Sequence, residues 1–212
     1  MSVPLFASLR AAAAADARPV LVVLAGPNGA GKSTFYAEYL HGLGLLFVNA
    51  DHIARLVRDA HPGAPASQLE RRAFEEAERL RADLIDLSLG FCAETVFSDP
   101  VGAKLDFIER ARAAGFVVIL VFVGLASPAL SVARVATRVA RGGHDVPNDK
   151  LFARFPRTLK NLKTAVGVVD RAVLVDNSLV GAPFRPVADY VDGRLVAQYP
   201  PLPPWMRGLP GV

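Results

Sequence analysis

The sequence predicts a three-layer α/β fold in which a mainly parallel sheet lies between helices. Three observations predict it. Short β-branched runs alternate with longer stretches of helical periodicity. The runs are apolar throughout instead of alternating with polar residues, as strands covered on both faces require. The first of them opens directly into a glycine-rich turn. The chain has 212 residues, 52% hydrophobic and 21% charged, which is long enough to bury a core and too apolar for a disordered body.

The elements follow in order. Val20 to Ala25, bounded by Pro19 and Gly26, reads as a buried strand, and a helix is expected over 32–41. A second strand at 45–48 ends at Asn49-Ala50-Asp51, and helices follow at 52–60 and 67–89, the latter mixed in charge and so expected to present a solvated face. The third strand is expected at 91–97, with Glu94-Thr95 marking its end or a functional interruption. After a helix at 100–114 comes a fourth strand, 116–123, within the longest apolar run of the chain. Ser127-Pro128 has the form of an N-cap followed by proline in the first helical turn, opening a helix to 141. A further helix is expected at 148–165 and a fifth strand at 172–175, running into Asp176-Asn177-Ser178. Asp192-Gly193 between short apolar pieces predicts a terminal hairpin over 189–196. The prolines at 200, 201, 203, 204 and 210 predict an extended or disordered tail, and the alanines at 11–15 a peripheral helix. The organisation expected is one domain, 1–198, followed by a proline-rich tail, 199–212.

Several function classes are excluded on arithmetic. The apolar run from Phe116 to Ala126 falls short of the ~20 residues that span a bilayer, so no membrane association is expected. The apolar segment at 20–25 opens into glycines instead of a cleavage site, which argues against export. One cysteine, Cys92, permits no internal disulfide and fits a cytoplasmic location. A net charge of +4 is too small to imply nucleic acid as a partner.

Gly26-Pro27-Asn28-Gly29-Ala30-Gly31-Lys32-Ser33-Thr34 matches the phosphate-loop pattern at every fixed position. Glycines let successive backbone N–H groups curl around phosphate oxygens, and the following helix adds the positive end of its dipole. Lys32 is expected to reach the β- and γ-phosphates of ATP, and the Ser33 hydroxyl to ligate Mg²⁺. The fold expectation sharpens accordingly to a P-loop NTPase or kinase with a helical, arginine-rich lid.

Ligands of such sheets sit beyond the carboxyl ends of the strands, which directs attention to Asp51, Glu94, Thr95 and Asp176. Asp51 can act as the base facing an acceptor hydroxyl, as the N-cap of the helix after it, or as both. Glu94, inside an apolar run, needs a partner: metal through water, a substrate hydroxyl, or a buried arginine. Asp176, ending an apolar strand, has the form of a Walker B carboxylate, but on the last strand it suits a structural role or a place near the adenine more than a direct metal role. The segment 134–171 holds nine Lys and Arg against three Asp. Arg134, Arg138 and Arg141 share one helical face, as do Lys150, Arg154 and Arg157. Two arginine-bearing helices joined by Gly142-Gly143-His144 suit a lid over phosphates. The four histidines are dispersed and form no metal site; His144 is a candidate acceptor contact.

The chain resembles the zeta-toxin family of P-loop kinases in its small stand-alone form. The resemblance rests on GPNGAGKST, NADHIA at 49–54, FCAETVFSD at 91–99, RVATRVARGGHDVP at 134–147, RTLKNL at 157–162 and AVLVDNS at 172–178. It implies transfer of the γ-phosphate of ATP to a hydroxyl of a nucleotide-activated sugar such as UDP-N-acetylglucosamine. It further implies Lys32 and Ser33 for nucleotide and metal, and Asp51 as base. Glu94 and Thr95 would serve substrate and metal, and Arg134, Arg138, Arg141 and Arg154 phosphate and substrate clamping. A separate antitoxin protein is a possible partner. The rival readings are a P-loop kinase acting on another metabolite or a nucleic-acid end, and an ATP-binding regulatory module without phosphotransfer.

Overall fold

The computed structural model describes residues 17–142 and 145–212. Seven strands form one sheet in the order β2-β3-β1-β4-β5-β6-β7. β1 (Val20–Ala25) is flanked in parallel by β3 (Phe91–Thr95) and β4 (Val117–Gly124); β2 (Leu46–Val48) and β5 (Arg171–Asp176) extend the parallel part outward. All six residues of β1 are buried, as expected of a central strand whose two faces are both covered.

The side-chain period of two divides the core between the sheet faces. Leu21, Val23, Phe91, Ala93, Leu120 and Phe122 point to one face. There they meet Leu84 and Ile85 of α3 (Ala66–Asp86), Ile108 and Ala111 of α4 (Ala103–Ala113), and Leu162 and Ala165 of α6 (Asn148–Ala165). Val22, Leu24, Ile119, Val121 and Val173 point the other way, against Phe35, Leu40 and Phe184. α2 (Ala50–Ala60) packs on α3, and α5 (Pro128–Ala140) on α6, where Val135, Val146 and Leu151 form a small core of their own.

The expected elements are all present in 17–142 and 145–212, with four instructive differences. First, the helix after the phosphate loop is α-helical only over Lys32–Phe35 (α1) and continues as a wider π turn, Tyr36–Leu40. Its aromatic residues are committed to different partners: Tyr36 stacks on Phe47 at 3.7 Å, while Phe35 and Tyr39 meet Phe184. Second, α3 is not simply a solvated helix, since Ala73, Ala77, Arg81, Leu84 and Ile85 are buried. Third, the terminal hairpin is longer than expected and belongs to the main sheet. β6 (Arg185–Val191) pairs antiparallel with β5, and β7 (Arg194–Gln198) with β6. Asp192 and Gly193 both take positive φ at the turn, the requirement that selects this dipeptide.

Fourth, the proline-rich tail is packed. Trp205, Met206 and Leu209 are buried against the face that carries Phe122 and Leu174. The Trp205 indole N–H donates to Asp176 Oδ1 at 2.9 Å, and the Tyr190 hydroxyl to Pro210 O at 2.9 Å. A Cβ on Gly124 would lie 2.3 Å from the indole ring, so β4 ends in glycine where the tryptophan crosses it. Counting prolines overlooked these three apolar side chains, whose burial outweighs the extended bias of the residues around them. The alanines at 11–15 lie outside the described residues.

Candidate active site

The phosphate loop is held from three sides. Lys32, 7% exposed, donates from Nζ to the Gly26 and Pro27 carbonyls at 3.0 and 3.2 Å. Ser131 of α5 donates to Asn28 O at 2.7 Å, and Asn177, just after β5, donates to Ala30 O at 2.8 Å. Two glycines are dictated by close approach: a Cβ on Gly26 would lie 2.2 Å from Val123 O, and one on Gly31 would lie 2.7 Å from Asn177 Nδ2. Gly31 also takes φ +90 as it caps α1, a conformation that L side chains disfavour. The loop is therefore pre-shaped, with little ordering left to do on binding.

Glu94 ends β3 beside this loop. Its Oε2 accepts from Ser33 Oγ at 2.9 Å and from Asn49 Nδ2 at 2.7 Å, and its Oε1 lies 3.8 Å from Lys32 Nζ. The partners of this carboxylate are thus the phosphate loop and the end of β2, with no arginine among those contacts. Burial pulls the Lys32 ammonium below its ordinary value, opposed by the nearby charges of Glu94 and Asp51.

Asn49 also settles the start of α2. Its side chain accepts from His52 N at 3.0 Å, so Asn49 is the N-cap, a role worth about 1 kcal/mol. Asp51 sits exposed in the first turn and is not the cap. The sequence reading overlooked Asn49, although its position before an apolar-periodic helix is the usual signal.

Two cavities open near this cluster. One, of about 740 Å³, is lined by Gly31 and Thr34, by Arg134 and Arg138 of α5 and Arg141 just after it, and by Asn177 and Phe184. The other, of about 680 Å³, is lined by Asp51, Glu94 and Thr95 together with Arg58, Asp99, Arg154 and Arg157. The two arginine stripes expected to form one lid therefore face different spaces. Arg134, Arg138 and Arg141 stand over the phosphate loop, while Arg154 stands with Asp51. His144 lies outside the described residues. Asp176 accepts from Ser178 and Trp205, a structural arrangement at the strand end. Cys92 is buried, and burial pushes its thiol far above the ordinary range.

With this geometry in view, comparison with known proteins is informative. The family model described as Zeta toxin matches residues 7–180. The chain belongs to the zeta toxin family. An uncharacterised protein of Haemophilus influenzae is 27% identical over 130 residues, 61% of this chain and 88% of that protein. Among solved structures, the AvrRxo1-ORF1:-ORF2 complex with ATP superposes with a TM-score of 0.67 at 16% identity, over 91% of this chain and 67% of the matched one. A structure from the PezAT chromosomal toxin–antitoxin system of Streptococcus pneumoniae gives 0.60 at 15% identity, over 89% and 81%. At such identities the structural likeness speaks to the fold, which is that of P-loop kinases. Among the described residues, no helix of this zeta toxin family member is long and apolar enough to cross a membrane.

Proposed function

We propose that this zeta toxin family member is a kinase that transfers the γ-phosphate of ATP to a hydroxyl of a small acceptor, a nucleotide-activated sugar of the UDP-N-acetylglucosamine kind. The observation that carries the reading is a pair of cavities, one bounded by the phosphate loop and the other by Glu94, whose Oε2 accepts from Ser33 of that loop. One is walled by the phosphate loop and three arginines, and the other by Asp51, Glu94 and Thr95. A donor held at the loop and an acceptor held beside Asp51 and Glu94 can then meet where Ser33 contacts Glu94, next to the transferred phosphate.

In this reading Lys32 leaves the Gly26 and Pro27 carbonyls for the terminal phosphates. The α5 arginines hold the polyphosphate and stabilise charge on the transferred group. Asp51, exposed to the acceptor cavity, accepts the proton of the attacking hydroxyl. Thr95 and Arg154 hold the acceptor in place. The Ser33 hydroxyl and Glu94 carboxylate, 2.9 Å apart, fit Mg²⁺, which takes few protein oxygens and completes its shell with phosphate and water. Among the described residues no group of three His, Cys, Asp or Glu could hold a metal by itself, in keeping with an ion carried largely by the nucleotide. When bound, Mg²⁺ neutralises charge on the β- and γ-phosphates. The family name extends the reading to a separate antitoxin protein as partner.

The test is incubation with labelled ATP and a panel of nucleotide sugars, read by mass spectrometry. The expected product is an acceptor heavier by one phosphate. ATP binding with no phosphorylated product across the panel would reject a nucleotide-sugar acceptor; salt-sensitive capture of an oligonucleotide end would redirect the reading to nucleic acid.

A further inference from the structure

Both carboxylate oxygens of Asp99 are buried with no hydrogen-bond partner, and so is Nε of Arg157. These two residues line the same cavity as Asp51 and Glu94. Buried polar groups are nearly always satisfied, and those left open in a native protein call for an explanation. An open carboxylate and an open guanidinium nitrogen in one cavity wall are doubly costly, because either could have satisfied the other.

The surrounding chain keeps them apart. Asn161 of α6 donates from Nδ2 to the carbonyls of Phe97 and Asp99, at 3.1 and 3.0 Å. Thr158 donates to Val96 O at 3.0 Å, and Phe97 N donates to Thr95 Oγ1 at 3.1 Å. Phe97 itself takes φ +63, a conformation a bulky residue keeps only when its surroundings impose it. Residues 154, 157, 158 and 161 lie on one face of α6. The same helix face thus anchors the loop backbone and presents Arg157 beside it, while the Asp99 side chain is left without a partner.

The chemistry of the pair defines what would complete it. A carboxylate only accepts hydrogen bonds and a guanidinium N–H only donates. A phosphate would satisfy Arg157 but be repelled by Asp99; an ammonium would do the reverse. A hydroxyl both donates and accepts, and so suits a wall that offers an acceptor and a donor alike. Two further cations of this wall are already engaged, since Arg81 and Lys104 pair with Glu78 at 2.5 and 2.9 Å. We infer that Asp99 and Arg157 form a subsite that reads a second, non-reacting hydroxyl of the acceptor, which makes the acceptor a polyhydroxylated molecule. The inference rests on the kinase reading for its place beside the reacting hydroxyl, and names a specificity residue, Asp99, the last residue of the FCAETVFSD segment, to which strand-end logic assigns no role.

The test uses UDP-N-acetylglucosamine and its 4-deoxy and 6-deoxy forms with the wild type, Asp99→Asn and Asp99→Ala, together with thermal unfolding of the three proteins without acceptor. The wild type should lose about 100-fold in kcat/KM on one deoxy form, since a site built to bond a hydroxyl rejects the analogue lacking it. Both variants should lose that discrimination, mainly through KM, while their Tm stays at or above the wild-type value because an unpartnered buried charge has gone. Discrimination that survives in the variants overturns the inference, as does a clear fall in Tm for both, which would mark Asp99 as structural. If the wild type phosphorylates no nucleotide sugar, the proposed function fails on its own terms. The Tm comparison still decides for the subsite: a fall rejects it, and a value held or raised sustains it.

Discussion

The two cavities differ in how they are charged, and the difference separates two kinds of recognition. The one over the phosphate loop carries Arg134, Arg138 and Arg141 against a single carboxylate, Glu38. The other mixes Arg58, Arg154 and Arg157 with Asp51, Glu70, Glu94 and Asp99. Excess positive charge suits a polyphosphate, which any arrangement of cations attracts. Balanced charge attracts nothing at long range and discriminates by the pattern of donors and acceptors. The first cavity is thus built for strength and the second for identity. A chain with a net charge of only +4 accommodates both by setting Arg134, Arg138 and Arg141 along one wall of the phosphate-loop cavity.

Substitutions can break this contrast, and the largest effect is expected at the lysine of the phosphate loop, which bonds the loop carbonyls and lies 3.8 Å from Glu94. Lys32→Ala should lower kcat by about 1,000-fold or more, since it removes a preorganised charge from the transferred group, as read by initial rates at saturating ATP. Asp51→Asn should lower kcat by about 100- to 1,000-fold, the usual share of a general base. ATP affinity, measured by calorimetry, should be unchanged; a matching loss of ATP binding would move Asp51 to the other side of the contrast. A crossed pair sharpens it further. Arg154→Ala should raise the KM of the acceptor by about 10-fold and leave that of ATP alone, and Arg141→Ala should do the opposite, each worth roughly one charge-assisted hydrogen bond.

The smallest effect is a matter of pH. Burial raises the Glu78 carboxyl, but Lys104 and Arg81 outweigh it and hold it below its ordinary 4.5. A depressed carboxyl stabilises the folded state above its unfolded value and loses that contribution as pH falls through the folded one. The wall of the acceptor cavity should therefore weaken only below about pH 4.5. Glu78→Gln should flatten the acid limb of a Tm–pH profile and lower Tm at neutral pH by a few degrees, because the buried Arg81 loses its partner.

What could be read in advance divides along a similar line. The phosphate loop, the strand ends and Glu94 were legible because each depends on contiguous residues: a strand, a turn, a helix start. The arginine faces of α5 and α6 were legible as faces, but helical periodicity does not say what a face looks at, and these two look into different cavities. Asp51 and Asn49 illustrate a finer limit. Both residues can cap a helix, and the choice fell to the one whose side chain could also bond Glu94, 45 positions away in the chain. Asp99 was beyond reach altogether, because lacking a partner is a property of everything around it. The tail was misread for the opposite reason, its composition speaking louder than three spaced apolar residues.

That tail gives the protein a built-in optical probe. Trp205 is the single tryptophan of the chain, and its ring lies 5.5 Å from Phe122 with its N–H on Asp176. Every other aromatic residue is a far weaker emitter, so the intrinsic fluorescence of the molecule reports on one spot, the carboxyl end of β4 and β5. Asn177, the next residue along from Asp176, holds the phosphate loop at Ala30. Emission should therefore follow nucleotide binding through one short covalent link, with no dye or added label, and any tag that disturbs the last eight residues would silence it.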